Sequence, residues 1–447
     1  MLLKITDKMS TAPSNSETSA EVDPLLAPPT SMPQVPLLSD EHAPILKPSL
    51  LHVSPVNRRM ENLDAMRILC LCSIILTHVT EPYLAGWLHR KEMLGPLGML
   101  VLAVNVMGRF GVSCFLMISF FIYWHQLYDK GRSWGELLQR RFKRLIPAFL
   151  AWSTFYFMLH KELFQGLSVL HHQIFRSFGH AFYTQPEAYL YNLSNWRTWL
   201  HVFVYGHAEY HLYYLPLVMQ CLLLIPLLKL LWRRPLVAWG WIAATSAAWI
   251  VMVYGPVFFA AGSTGWKIST TLFSMMNQPW AVPFLIFPLF GMMCAGQKQF
   301  RQFLADSSTG FWVTLLVFGL ALHAVEAIGL ARILPLGKDD SLLRAASLVK
   351  MGRIISSFAV FALFMRRPMM RDPFPKVSHH AFGIHFMHPA VIIALTLLEL
   401  KLLGPTIAHY QAWVFPMLAV NYLLTFWITF GLCLIVGRFK RLEFLVV

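Results

Sequence analysis

Arg67 and His78 stand in one apolar run, Leu63-Asp-Ala-Met-Arg-Ile-Leu-Cys-Leu-Cys-Ser-Ile-Ile-Leu-Thr-His78. In a helix this spacing is about three turns, so both side chains project from one face, about 16 Å apart along the axis. Ionisable groups at membrane depth cost about 2.5–3.5 kcal/mol each on insertion scales, which makes them functional by default and directs them inward. The plainer reading has Arg67 marking one end of the helix and His78 bonding to a neighbouring helix. Asp64 stands at i,i+3 to Arg67 and offsets part of the cost of burying that charge. Glu81, three residues past His78, reaches the imidazole from the same face; a carboxylate there orients the ring and raises its basicity, as in acid–histidine dyads.

Three further patterns follow in order. Gly111-Val-Ser-Cys-Phe-Leu-Met-Ile-Ser119 puts small and hydroxyl residues where membrane helices approach closely. Arg140-Arg141-Phe-Lys-Arg144-Leu-Ile-Pro147 is a basic cluster whose arginine forks suit phosphate, or else simply anchor a helix end. Ser378-His-His-Ala-Phe-Gly383-Ile-His385-Phe-Met-His388 sets His385 and His388 on one helical face at i,i+3. Between the last two lies Glu209-Tyr-His-Leu-Tyr213-Tyr214-Leu-Pro, at the entry of an apolar segment.

The elements that must hold these groups are membrane helices. With 56% hydrophobic and 13% charged residues, repeated apolar runs of about 20 residues predict an all-α, polytopic helical bundle and exclude a soluble protein. Ten spans are expected, over 64–87, 95–126, 142–161, 211–232, 236–259, 279–296, 310–332, 344–366, 380–402 and 411–437. The second is too long for one straight crossing and is expected to begin as an interfacial stretch before Gly108. Placing the N-terminus inside gives the inner segments about twice the Lys and Arg of the outer ones, so both termini are expected to be cytoplasmic. The net charge of +15 follows from that asymmetry; it needs no nucleic acid and attracts anionic lipid of the bilayer's inner leaflet.

Residues 1–58, rich in Pro and Ser, read as a disordered cytoplasmic tail with no signal peptide, and translation starting at Met9 or later is compatible with it. Its Pro-Leu-Leu triplets at Pro24 and Pro36 have the look of a docking motif. Residues 59–447 form the transmembrane domain. Its long outer loop, 162–210, carries His171, His172, His180, His201 and His207 among tyrosines and tryptophans. That composition suits either a glycan-facing loop or an interfacial aromatic belt; the histidine spacing is too irregular for a zinc site, and no metal is expected. All six cysteines fall inside expected spans as core residues.

Taken in order, these patterns resemble the acyltransferase-3 family of bacterial membrane O-acyltransferases, over about residues 59–437. Arg67 and His78 match that family's Arg, ten residues, His signature in the first helix, and Arg141 and Arg144 match its Arg-x-x-Arg. Ser378 to His388 looks like its late Gly-Ile-Tyr-Leu-x-His motif. Two departures stand out: the family's Ser-Gly-Phe reads Ser119-Phe-Phe, and its late tyrosine is His385. Gly111-Val-Ser-Cys and Tyr213-Tyr-Leu-Pro lean towards the exopolysaccharide-modifying branch, which includes intercellular-adhesin-type O-succinyltransferases.

The resemblance implies a multi-pass protein of the bacterial inner membrane with no bound cofactor. It would move an acetyl or succinyl group from acyl-CoA to a hydroxyl of an exported polysaccharide or its precursor. Arg141, Arg144 and Arg67 would hold the CoA phosphates, with the pantetheine arm spanning the three turns to His78. His78 would act as general base or carry the acyl group covalently. Glu81 would orient it, a role the family pattern does not supply. Tyr213, Tyr214, His385 and His388 would position the acceptor. Two other classes remain open: a polysaccharide exporter or flippase, and a non-catalytic partner in a polysaccharide-synthase complex with the tail as its docking element.

Overall fold

A computed structural model of the chain describes residues 60–88, 95–166, 196, 199, 203–204, 206, 208–209, 211–276, 281–333, 350–366, 372–403 and 413–446. The tail 1–58 and nearly all of the 162–210 loop, with the expectations attached to them, lie outside these residues. All the regular structure among the described residues is helical.

The chain enters α1 (Glu61–Leu88) with Glu61 and Asp64 in its first turn, where acidic groups complement the helix dipole. Next come α2 (Pro96–Met107) and α3 (Phe110–Tyr128), the region expected as one over-long span. The break falls at Gly108 and Arg109, and Gly108 is required by close packing: a Cβ there would sit 2.6 Å from Ser73 O and from Thr77 Oγ1 on α1. α2 packs against both α1 and α12 (Thr309–Ile333). Then follow α4 (Trp134–Gly166), which overruns the expected 142–161 at both ends, and the pair α5 (Tyr214–Leu223) and α6 (Ile225–Trp232), bent by 62° at Leu224 just before Pro226.

Beyond these lie α7 (Pro235–Phe258), α8 (Thr264–Met276), α9 (Ala281–Phe284), α10 (Ile286–Gly296) and α11 (Lys298–Asp306). An 87° bend at Gln297 separates α10 from α11. Past α12 come α13 (Met351–Met365), the short α14 (Pro375–His379), α15 (Ala381–Leu403) and α16 (Val414–Gly437), then a 3₁₀ turn over Glu443–Leu445. Six stretches among the described residues are long and apolar enough to cross a membrane, with α2 and α3 taken together, and eight if each bent pair is one crossing. The expected span 344–366 contains the fifteen-residue α13, which falls short of that length.

The core is built on α1, which touches α2, α3, α13, α14, α15 and α16. α3 packs in turn on α10 and α13. Gly111 makes the α1–α3 approach close, since a Cβ there would meet Cys70 O at 2.6 Å and Ile74 at 2.8 Å. By contrast α7, α12 and α16 turn large apolar side chains outward, among them Leu236, Val317, Phe318, Trp427 and Ile435. Nonpolar surface of that kind is stable only in contact with lipid or another apolar body.

Candidate functional site

The α1–α2 seam is polar. Ser73 donates to Cys70 O, Thr77 to Ser73 O and Thr80 to Thr77 O, at 2.7–3.0 Å, the usual way for hydroxyls in an apolar helix to satisfy themselves on the preceding turn. Across the seam Asn105, fully buried, donates to Thr77 O and to Thr80 Oγ1, both at 2.8 Å. Its carbonyl Oδ1 accepts from Arg109 Nε at 3.0 Å and Nη2 at 2.8 Å. Arg109 is thereby held against α1, with its Nη2 3.7 Å from Glu81 Oε1.

Glu81 Oε2 lies 3.0 Å from His78 Nδ1. A carboxylate only accepts, so the proton of the neutral imidazole sits on Nδ1 and the lone pair on Nε2. A cavity of about 30 Å³, roomy enough for about two waters, is lined by His78, Glu81, Arg109, His211, Tyr213 and His385 with Thr77 and apolar neighbours. The His388 ring stacks on His78 with centroids 5.3 Å apart. His211 stands 5.6–5.7 Å from both His388 and His385. His388 donates through Nδ1 to Ile384 O at 3.1 Å, so its lone pair also sits on Nε2. Among the described residues no three His, Cys, Asp or Glu side chains are disposed to share a metal ion.

What aims His385 and His388 is a defect in α15. Pro389 has no N–H, and the Tyr156 hydroxyl of α4 enters the helix beside it, donating to Phe386 O at 2.6 Å and accepting from Ala390 N at 3.2 Å. Those two groups are an i→i+4 pair that would otherwise bond each other, and a side chain inserted into the ladder is a recognised cause of a local bend. From the far side, Gly383 admits the chain end: a Cβ there would meet Val446 Cα at 2.6 Å, and Gly383 N donates to Val446 O at 3.3 Å.

The expected residues fall into two groups. His78, Glu81, Tyr213 and His385 line the cavity, with His388 stacked behind His78. Tyr214 stands outside the lining, against Phe115 and His385. About three turns along α1, Arg67 is one-third exposed and pairs with Asp64. Arg144 feels the charges of both Arg67 and Arg141, and the Arg141 guanidinium lies 4.8 Å from the centre of the Tyr123 ring. The three arginines therefore form one basic patch, separate from the histidines.

Several residues escaped the sequence reading. Arg109 is the only charged residue between 93 and 128, and an isolated arginine in so long an apolar stretch was a usable signal. His211 sits in a stretch whose tyrosines alone carry a sequence expectation. A third group lies behind Tyr213: Arg353 and Arg109 both act on its hydroxyl electrostatically, and Arg353, Lys350 and Arg109 feel one another's charge. Glu326 answers them, accepting from Gly352 N at 3.0 Å and from the Tyr254 hydroxyl. Only the fold joins these residues, which are spread from position 109 to 353.

A model of the acyltransferase-3 family, described as an acyltransferase domain, matches residues 60–438. The chain belongs to this family. No curated protein and no solved structure matches it. The acyltransferase is thus a multi-pass helical membrane protein, and its matched region holds both the cavity and the basic patch.

Proposed function

We propose that this acyltransferase takes an acetyl or succinyl group from acyl-CoA and esterifies a hydroxyl of an exported polysaccharide or its precursor, in the bacterial inner membrane. The topology that accompanies this reading has ten crossings and both termini in the cytoplasm, which puts the Arg67–Arg141–Arg144 patch on the side where acyl-CoA is made. Guanidinium forks grip phosphate bidentately, so the patch is the seat for the CoA phosphates. The thioester then lies about 16 Å further along α1, a distance a pantetheine arm covers.

The observation that carries the reading is the His78–Glu81 pair lining one cavity with Tyr213 and His385. With Nδ1–H donated to the carboxylate, Nε2 accepts the proton of the acceptor hydroxyl as its oxygen attacks the thioester, and returns that proton to the departing thiolate. Glu81 keeps the ring in this tautomer and stabilises the imidazolium as it forms. Tyr213 and His385 offer polar tips to sugar hydroxyls.

The test compares surface polysaccharide from cells making the wild type, His78→Gln or no protein, by mass analysis. The proposal requires that polymer be released in all three and carry ester groups only with the wild type. Loss of polymer release with His78→Gln would favour an exporter. Deleting residues 1–58 probes the scaffold reading, because a docking element would be needed for partner assembly while a catalyst would keep esterifying.

A further inference from the structure

We propose that Arg109 is a further catalytic residue: its guanidinium receives the negative charge that develops on the thioester carbonyl oxygen. The proposal rests on the acyl-transfer reading of the cavity and adds a residue that neither the motifs nor the family match assigns.

Three observations point to Arg109. It is buried and lines the cavity together with His78 and Glu81. Its Nε and Nη2 both donate to the amide oxygen of Asn105, which orients the guanidinium. Asn105 is itself fastened to Thr77 O and Thr80 Oγ1, on the two sides of His78 in the helix that carries the base. The cation and the base therefore share one rigid mount, and a fixed charge in a low-dielectric site stabilises a transition state without reorganising.

Glu81 stands between the two cations of the step, 3.7 Å from Arg109 Nη2 with its other oxygen 3.0 Å from His78. As His78 takes up a proton, the carboxylate answers the new imidazolium while the guanidinium answers the new oxyanion. In the step itself the hydroxyl oxygen bonds to the carbonyl carbon, the hydroxyl proton passes to His78 Nε2, and the carbonyl π pair moves onto oxygen beside Arg109. When that pair returns, the C–S bond breaks and the thiolate sulfur takes the proton from His78. Arg67 cannot serve here, being three turns away and paired with Asp64.

The test follows CoA thiol release from acetyl-CoA and from fluoroacetyl-CoA by the full chain in nanodiscs, with glycerol as the hydroxyl acceptor. Arg109→Met should lower turnover of acetyl-CoA by about 10²–10³, the usual cost of losing one oxyanion donor, with KM for the donor unchanged. Fluorine stabilises the same oxyanion through the bond framework, so the loss with fluoroacetyl-CoA should be several-fold smaller. Arg109→Lys keeps the charge and should recover part of the rate; if Arg109→Met does not accumulate in membranes, the donor comparison on Arg109→Lys decides. Equal losses with both donors, or a raised KM at unchanged turnover, overturn the assignment. His78→Gln, measured alongside, separates the two claims. Wild-type rates in that variant, or no thiol release by the wild type, would sink the acyl-transfer reading, while an inactive His78→Gln beside a fully active Arg109→Met would sink only the role of Arg109.

Discussion

Replacing Glu81 by Gln removes one charge and almost no volume, which makes it a clean probe of the His78 environment. In the wild type the carboxylate is 3.0 Å from Nδ1 and 3.7 Å from Arg109 Nη2. A hydrogen bond involving a charged group contributes about 1.5–3 kcal/mol. The contact strengthens most when His78 becomes an imidazolium, so nearly all of that difference falls on the transition state and little on substrate binding. At 1.36 kcal/mol per factor of ten, kcat should fall by between about 10- and 150-fold with KM for acyl-CoA unchanged. The loss should stay below that of His78→Gln, since the amide oxygen of the Glu81→Gln side chain still accepts from Nδ1. Thiol release from acetyl-CoA by the purified protein in nanodiscs measures both constants. A Glu81→Gln protein within twofold of wild type would refute the dyad, and a raised KM at normal kcat would mean that Glu81 touches the donor.

Arg141→Lys with Arg144→Lys keeps the charge but not the fork; isothermal titration with CoA should show weaker binding, with membrane abundance unchanged. Gly108→Ala drives a methyl into Ser73 O and Thr77 Oγ1 at 2.6 Å; overpacking costs about 1–3 kcal/mol, so thermal melting in detergent should shift down, whereas Gly135→Ala, with open space around it in the first turn of α4, should not lower the melting temperature. Tyr156→Phe leaves Phe386 O and Ala390 N without the hydroxyl that bridges them; destabilisation of about 1–3 kcal/mol is expected, with a loss of activity from misaimed His385 and His388 that a neutral change elsewhere on α4 would not cause.

Much of the local architecture was readable from residue spacing because helix geometry is local. The i,i+3 contacts of Asp64 with Arg67 and of His78 with Glu81, and the shared face of His385 and His388, need only the period of a helix. Their meeting in space does not follow from that period. His211 reaches the pair on α15 from a turn more than 170 residues earlier, and Arg353 comes beside Tyr213 across 140 residues. Hydropathy located apolar stretches but not the bend at Leu224, which is as apolar as its neighbours; the backbone leaves α-helix there beside Pro226. The Tyr156 insertion was hidden for the same reason: Pro389 announces a defect, but nothing in one sequence says which side chain fills it.

The central claim is that His78 is the proton acceptor in acyl transfer, and the most direct measurement is single-turnover thiol release from acetyl-CoA by His78→Gln in nanodiscs with glycerol as acceptor. Gln keeps the size and some of the bonding of the imidazole but takes no proton. The rate should drop by about 10²–10⁴ relative to wild type, with the protein folded by thermal melting and CoA binding retained. Release at a near-normal rate would contradict the account and move the chemistry away from this histidine.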